Sequence, residues 1–146
     1  MIALIQRVSR ASVEVDGEPC GAISRGILAL IGVEATDSPA SASRLLEKVC
    51  SYRIFPDDGG KMNLDVRQIG GGLLLVPQFT LVADTSKGTR PGFSGGAPPP
   101  RARELFEGLL EAARAAHAPV AAGVFGADMQ VHLVNDGPVT FLLKAT

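Results

Sequence analysis

Apolar and polar residues alternate with a period of two at the start of the chain. Ile2, Leu4 and Val8 share one face, Ala3, Ile5 and Arg7 the other, and Ala11, Val13 and Val15 resume the period. Alternation of this kind marks strands. Asp16-Gly17 then supplies two residues that accept the positive φ of a tight hairpin turn. Ile27 to Val33 is an almost unbroken apolar run of strand length, the pattern of a strand covered on both faces. Beyond it the period changes. Asp37-Ser38-Pro39 offers an N-cap followed by proline in the first turn, and Leu45, Leu46, Val49 and Cys50 recur at helical spacing. A helix over about 38–51 is predicted.

Tyr52 to Phe55 reads as a short strand closed by the turn cluster Pro56 to Gly60. Leu73 to Val76 is a further apolar strand, and it leads directly into Pro77-Gln78-Phe79-Thr80-Leu81. Residues 84–100, rich in glycine and ending in Pro98-Pro99-Pro100, predict a long loop. Arg101 to His117 carries Leu105, Phe106, Leu109, Leu110 and Ala113 on one face and Glu104, Glu107, Glu111 and Arg114 on the other, a second amphipathic helix. Met129, Val131 and Leu133 alternate with Gln130 and His132, Asn135-Asp136-Gly137-Pro138 reads as a turn, and Val139 to Leu143 is the closing strand. Strands mixed with two helices in this order predict one α/β domain over 1–146, its helices packed over a sheet.

Composition narrows the partners. Fourteen Lys and Arg against 15 Asp and Glu leave a net charge of -1, which removes the basic footprint of a protein that grips nucleic acid mainly through phosphates. No DNA partner is expected, and any RNA contact must be local. Cys20 and Cys50 lie far apart, without metal-ligand spacing, and only His117 and His132 could supplement them. Neither a zinc site nor a disulfide is predicted, and reduced thiols in the cytoplasm are the expectation. Arg7 and Arg10 follow a short apolar run, the reverse of the charge order in a signal peptide. No stretch approaches the roughly 18 apolar residues of a membrane span.

A census of candidate chemistry is short. Gly70-Gly71-Gly72 precedes a strand, and Ser86-Lys87-Gly88 lacks the leading frame of a phosphate loop, so both read as turns. There is no Gly-x-Ser-x-Gly elbow. His117 ends a helix and His132 alternates out of a strand. Asp57-Asp58 and Asp136 have the plain role of turn formers. Thr80, at a strand end beside Gln78 and Phe79, could expose a hydroxyl, but without an adjacent base it is a weak nucleophile. Two readings stay open from the residues alone: a small esterase with Thr80 as nucleophile, and a non-catalytic module that binds RNA or a metabolite.

Two segments resist these plain readings. Pro77-Gln78-Phe79-Thr80-Leu81 resembles the Ser-Gln-Phe-Thr-Leu motif of the D-aminoacyl-tRNA deacylases, and Asn135-Asp136-Gly137-Pro138-Val139-Thr140 matches their Asn-x-Gly-Pro-Val-Thr motif. The resemblance covers the whole chain, including Met1 to Val8, Tyr52 to Phe55, Lys61 to Leu64, Arg90 to Ser94 and Ala127 to Val131. It implies strongly curved, mixed sheet layers with both helices on one face. It also implies a homodimeric cytoplasmic hydrolase, without metal or organic cofactor, that cleaves the ester joining a D-amino acid to the terminal adenosine of tRNA. Glycyl-tRNA mischarged on the alanine tRNA would be cleaved as well.

By the same resemblance, Gly137-Pro138 would be a cis dipeptide inserted across the subunit interface into the partner's pocket, beside Pro77, Gln78, Phe79 and Thr80. Its carbonyl oxygens would reject an L-amino acid by collision with the side chain, while glycine has none to reject. Catalysis would rest on main-chain groups near Phe79 and Thr80 and on the substrate's ribose 2′-hydroxyl. Arg7 would brace the Gly-Pro segment, and Phe125 and Met129, otherwise plain core residues, would pack around the adenine. Lys87 and Arg90 are expected near phosphates. Pro77 departs from the usual serine and removes a backbone N–H and a hydroxyl from the pocket edge. A related group of tRNA deacylases with broader selectivity also carries Pro there, with Ala where this chain has Phe79.

Overall fold

The strand β1 (Ile2–Val15) organises the sheet. In the computed structural model, which describes residues 1–146, it turns back at Asp16 (φ 52°) and Gly17 (φ 78°) into β2 (Glu18–Ile23), as the Asp-Gly pair predicts. β3 (Gly26–Gly32) pairs antiparallel with the first half of β1, from Ile2 opposite Gly32 to Val8 opposite Gly26. β6 (Gly72–Pro77) lies parallel to β3, and β7 (Val120–Ala122) parallel to β6. The last strand, β8 (Met129–Lys144), runs antiparallel along β1 from Val15 opposite Met129 to Ile2 opposite Lys144. The sheet curls until β2 approaches β7: a Cβ on Gly21 would stand 2.7 Å from the carbonyl oxygen of Ala122.

Both helices pack on one face. α1 (Pro39–Ser51) is capped by Ser38, whose hydroxyl accepts from the Ser41 amide while the Ser41 hydroxyl accepts from the Ser38 amide. Asp37 is therefore not the cap. Its carboxylate accepts from the α-ammonium of Met1 at 2.5 Å and from the Glu34 amide at 2.7 Å. α2 (Pro99–Ala116) starts two residues ahead of the predicted Arg101, because proline suits the first turn, where an N–H has no acceptor. Leu45, Val49, Leu105, Phe106 and Leu109 from the helices meet Ala3, Ile5, Ile27, Ala29, Leu73 and Leu75 from the sheet in one core. Val8, Leu28, Leu74 and Val76 point to the opposite face with Ala11, Val13 and Ile23. The apolar runs in β3 and β6 are thus covered on both sides, as their composition requires.

Two segments differ from their sequence readings. Tyr52 to Ile54 is not a strand; only Phe55–Pro56 (β4) pairs, with β5 (Met62–Leu64) across the Asp57–Gly60 turn. The carbonyl of Ile54 bonds the Arg7 side chain instead of a neighbouring strand. Asn135 to Pro138 does not reverse the chain: it lies inside β8, which is one strand. Gln6 opposes Thr140 and Val8 opposes Asn135, so residues 136–139 stand against Arg7 alone and form a wide bulge. A turn-forming composition produces an outward loop here because both flanks stay paired to the same partner strand.

The 84–100 segment is a loop as predicted, and it is fastened. Asp84 and Gly92 exchange backbone hydrogen bonds, and Ala97 donates to the carbonyl of Val33. No helix is long and apolar enough to cross a membrane.

Candidate functional site

Pro77 ends β6 opposite Ile31. On the β7 side, Gly123 donates to the carbonyl of Leu75, and the next rung would need the N–H that Pro77 lacks. The β6–β7 ladder stops there. Gln78 makes the last bond toward β3, donating to Ile31 at 2.8 Å, and the chain enters a tight 3₁₀ turn over Phe79–Val82. Leu81 donates to the carbonyl of Gln78 and Ala83 to that of Thr80. The amides of Phe79 and Thr80 precede the first of these bonds and have no acceptor within the turn. The side-chain amide of Gln78 donates to the Thr80 hydroxyl. No histidine or carboxylate bonds that hydroxyl. Phe79 is 64% exposed, and its ring rests on Phe93 with ring centres 5.3 Å apart.

Met129 joins this end of the sheet. Its Sδ accepts from the Val124 amide at 3.4 Å, and a Cβ on Gly123 would lie 2.7 Å from Sδ and 3.5 Å from Cδ of Pro77. Gly123 therefore leaves the space in which the thioether settles beside Pro77, and it is a site residue that the sequence reading missed. Its only signal is a glycine directly after a short apolar strand. Phe125, in the same loop, leans the other way: its ring meets Phe106 of α2 at 6.5 Å and carries the Arg103 guanidinium at 5.2 Å. Met129 packs with the strand-side core and Phe125 with the helix-side core, so the two flank the loop.

The Gly137-Pro138 bond is cis, as is Ala118-Pro119. Arg7, the residue facing the bulge, is only 13% exposed at its side chain. Its Nε donates to the carbonyl of Asp136 at 3.0 Å, and a second guanidinium nitrogen donates to the carbonyl of Ile54 at 2.8 Å. Asn135 closes the stem of the bulge, accepting from the Val139 amide at 3.0 Å and donating to the Thr140 hydroxyl at 2.8 Å.

Within one chain the two motifs are apart. The bulge is level with Arg7, Ile27 and Leu73, three strand spacings from β6 and four residues short of Pro77. At about 4.8 Å per strand and 3.3 Å per residue, the path along the sheet between them is roughly 20 Å.

The remaining candidates are simply placed. Lys87 and Arg90 are exposed on the long loop. His117 bonds the carbonyl of Gly71 at 2.6 Å, and His132 sits 3.6 Å from Glu14. No group of three or more His, Cys, Asp or Glu is placed to hold a metal ion. A concavity of about 660 Å³ lies over Arg10, Ile23 and Val131 to Val134, with His132 in its lining, and includes neither residues 77–80 nor Gly137 and Pro138.

A family model described as D-Tyr-tRNA(Tyr) deacylase matches residues 4–144. The chain belongs to this family. It is 62% identical to a D-aminoacyl-tRNA deacylase from Pseudomonas savastanoi pv. phaseolicola over 142 residues, covering 97% of this chain and 98% of that one. A protein of the same name from Methylococcus capsulatus is 58% identical over 144 residues, with 99% and 94% covered. A solved structure described as c-Myc DNA Unwinding Element Binding Protein superposes with a TM-score of 0.95 at 39% identity, covering 100% of this deacylase-family chain and 99% of that chain. A probable eukaryotic D-amino acid tRNA deacylase, at 14% identity, TM-score 0.82 and 97% coverage of both, shares the fold.

Proposed function

We infer that the chain is an editing hydrolase that cleaves the ester of D-aminoacyl-tRNA, and of glycine mischarged on the alanine tRNA, and that it works in the cytoplasm as two copies. Family membership and the relatives' names support the reaction. The paired arrangement rests on one observation, the three strand spacings and four residues that separate the Gly-Pro bulge from Pro77 of the same chain, a path of roughly 20 Å along the sheet. If the two motifs face one substrate, they come from different copies, with the bulge of one inserted beside residues 77–80 of the other.

In this arrangement the substrate's carbonyl faces the amides of Phe79 and Thr80. Donors aimed in advance at the developing oxyanion contribute a few kcal/mol without an ionisable side chain. By the family resemblance the substrate's ribose 2′-hydroxyl helps to activate the attacking water, which accords with the lack of a histidine or carboxylate on the Thr80 hydroxyl. Gln78 holds the Thr80 hydroxyl and Arg7 holds the bulge. Gly137 and Pro138 form a wall that collides with an L side chain, leaves a D side chain free and passes glycine. Pro77 and Met129 line the edge next to Gly123, and Phe125 and Met129 contact the terminal adenosine.

Purified protein incubated with D-, L- and glycyl esters of one tRNA tests this. Release from the D and glycyl esters, with the L ester stable, is the expected outcome. No release above the spontaneous rate from the D ester would leave the non-catalytic RNA-binding reading.

A further inference from the structure

Two arginines stand in the first turns of α2, and they are used differently. Arg101 is committed to Glu104, with nitrogen and oxygen 2.8 Å apart. Arg103 lies over the Phe125 ring at 5.2 Å, makes no ion pair and donates no hydrogen bond within the chain. Its guanidinium thus has a fixed position but unused donors. A planar cation on an aromatic face still presents its N–H edge outward, and that edge matches a phosphate. The first turn of α2 contains no acidic residue, and the nearest carboxylate in sequence, Glu104, is taken by Arg101. Opposite, Gly126 (φ +79°) brings only backbone near, since a Cβ there would lie 3.8 Å from Arg103 Nη2.

We propose that Arg103 binds an RNA phosphodiester, that of the nucleotide whose base meets Phe125 and Met129. The proposal rests on the reading that these two residues contact the terminal adenosine. One ring would then hold both the nucleoside and the cation that takes its phosphate, so recognition is confined to the end of the acceptor strand. This fits a chain of net charge -1.

The test compares two substrates, full D-aminoacyl-tRNA and D-aminoacyl-adenosine, which carries the same ester and base without a phosphate. Arg103→Ala is expected to raise KM for the tRNA three- to tenfold with kcat little changed, and to leave turnover of the adenosine ester unchanged. The slope of log KM against log salt should flatten by about 0.7, one single-strand phosphate contact. Arg103→Lys, which keeps the charge but not the planar fork, should keep the parent's salt slope and recover only part of the loss in KM. Equal losses on both substrates would mean that Arg103 only packs Phe125, and no loss on either would mean that it does nothing; each overturns the proposal. Phe125→Leu distinguishes failure of the underlying reading: unchanged turnover of the adenosine ester in that variant removes the nucleoside contact itself, and the proposal with it.

Discussion

Arg7 donates from Nε to the carbonyl oxygen of Asp136 at 3.0 Å, across a bulge in which four residues of β8 face that single arginine of β1. Its other bond, to Ile54 at 2.8 Å, anchors the guanidinium to the segment before β4. Arg7 therefore ties the bulge to the segment before β4. Hydrogen bonds from a charged donor contribute about 1.5–3 kcal/mol each. Arg7→Ala is expected to lower kcat/KM for D-aminoacyl-tRNA at least tenfold while the far-ultraviolet circular dichroism stays that of the parent. Arg7→Lys, a point donor that cannot span both carbonyls, should fall between them. Parent-like kinetics in Arg7→Ala would show that the bulge holds its shape unaided.

Gly137 has φ +134°, in a region that L side chains rarely adopt. A Cβ there would lie 2.7 Å from Cγ2 of Val139 and 3.1 Å from Arg7 Nη2. Gly137→Ala must displace either the bulge or the arginine that braces it. More than tenfold loss of D-ester hydrolysis is expected, with a melting temperature lowered by only a few degrees, because Gly137 is exposed and Val139 is the one bulge residue that reaches a core. An alanine variant as fast as the parent would refute a close-fitting wall at this position.

Thr80 separates the backbone mechanism from the nucleophile mechanism. Its hydroxyl bonds only the Gln78 side chain, and no base lies beside it. Thr80→Ala keeps the amides of residues 79 and 80, so kcat should stay within about tenfold of the parent, short of the loss expected for removing a covalent nucleophile. Complete loss, or an acyl-enzyme trapped on rapid quench of the parent, would instead favour the small esterase.

Much of this was legible in the residues. The Asp16-Gly17 hairpin, the two amphipathic helices and the doubly covered strands Ile27–Val33 and Leu73–Val76 follow from local propensity and burial, and these act within a few residues. The Asn135–Pro138 segment was misread as a reversal for a long-range reason: its flanks stay on β1 because Val8 and Gln6 bond them there, a pairing across more than a hundred residues. Gly123 was missed because its importance comes from Met129, which occupies the space that a Cβ would fill. The site motifs themselves were found by resemblance, since a backbone amide carries no side-chain signature.

The N-terminal corner makes a prediction about acid. Glu34 accepts from the Met1 α-ammonium at 3.2 Å and pairs with Lys144 at 3.1 Å. Burial pushes its carboxyl up, but the hydrogen bonds from Lys144 and the α-ammonium outweigh that and hold it below its ordinary value of 4.5. The unfolded chain then binds more protons than the folded one near pH 4, so the stability due to Glu34 is fully present above its ordinary value and is lost as pH falls through the lowered one. Glu34→Gln should therefore lower the urea midpoint at pH 7 slightly. Its midpoint should also decline less steeply than the parent's between about pH 5 and 3. Asp37 still holds the ammonium at 2.5 Å, so the fold survives the change. Parent and variant midpoints that run parallel through this window would show that Glu34 titrates alike folded and unfolded, and that Asp37 and the Ala145 carbonyl hold the corner without it.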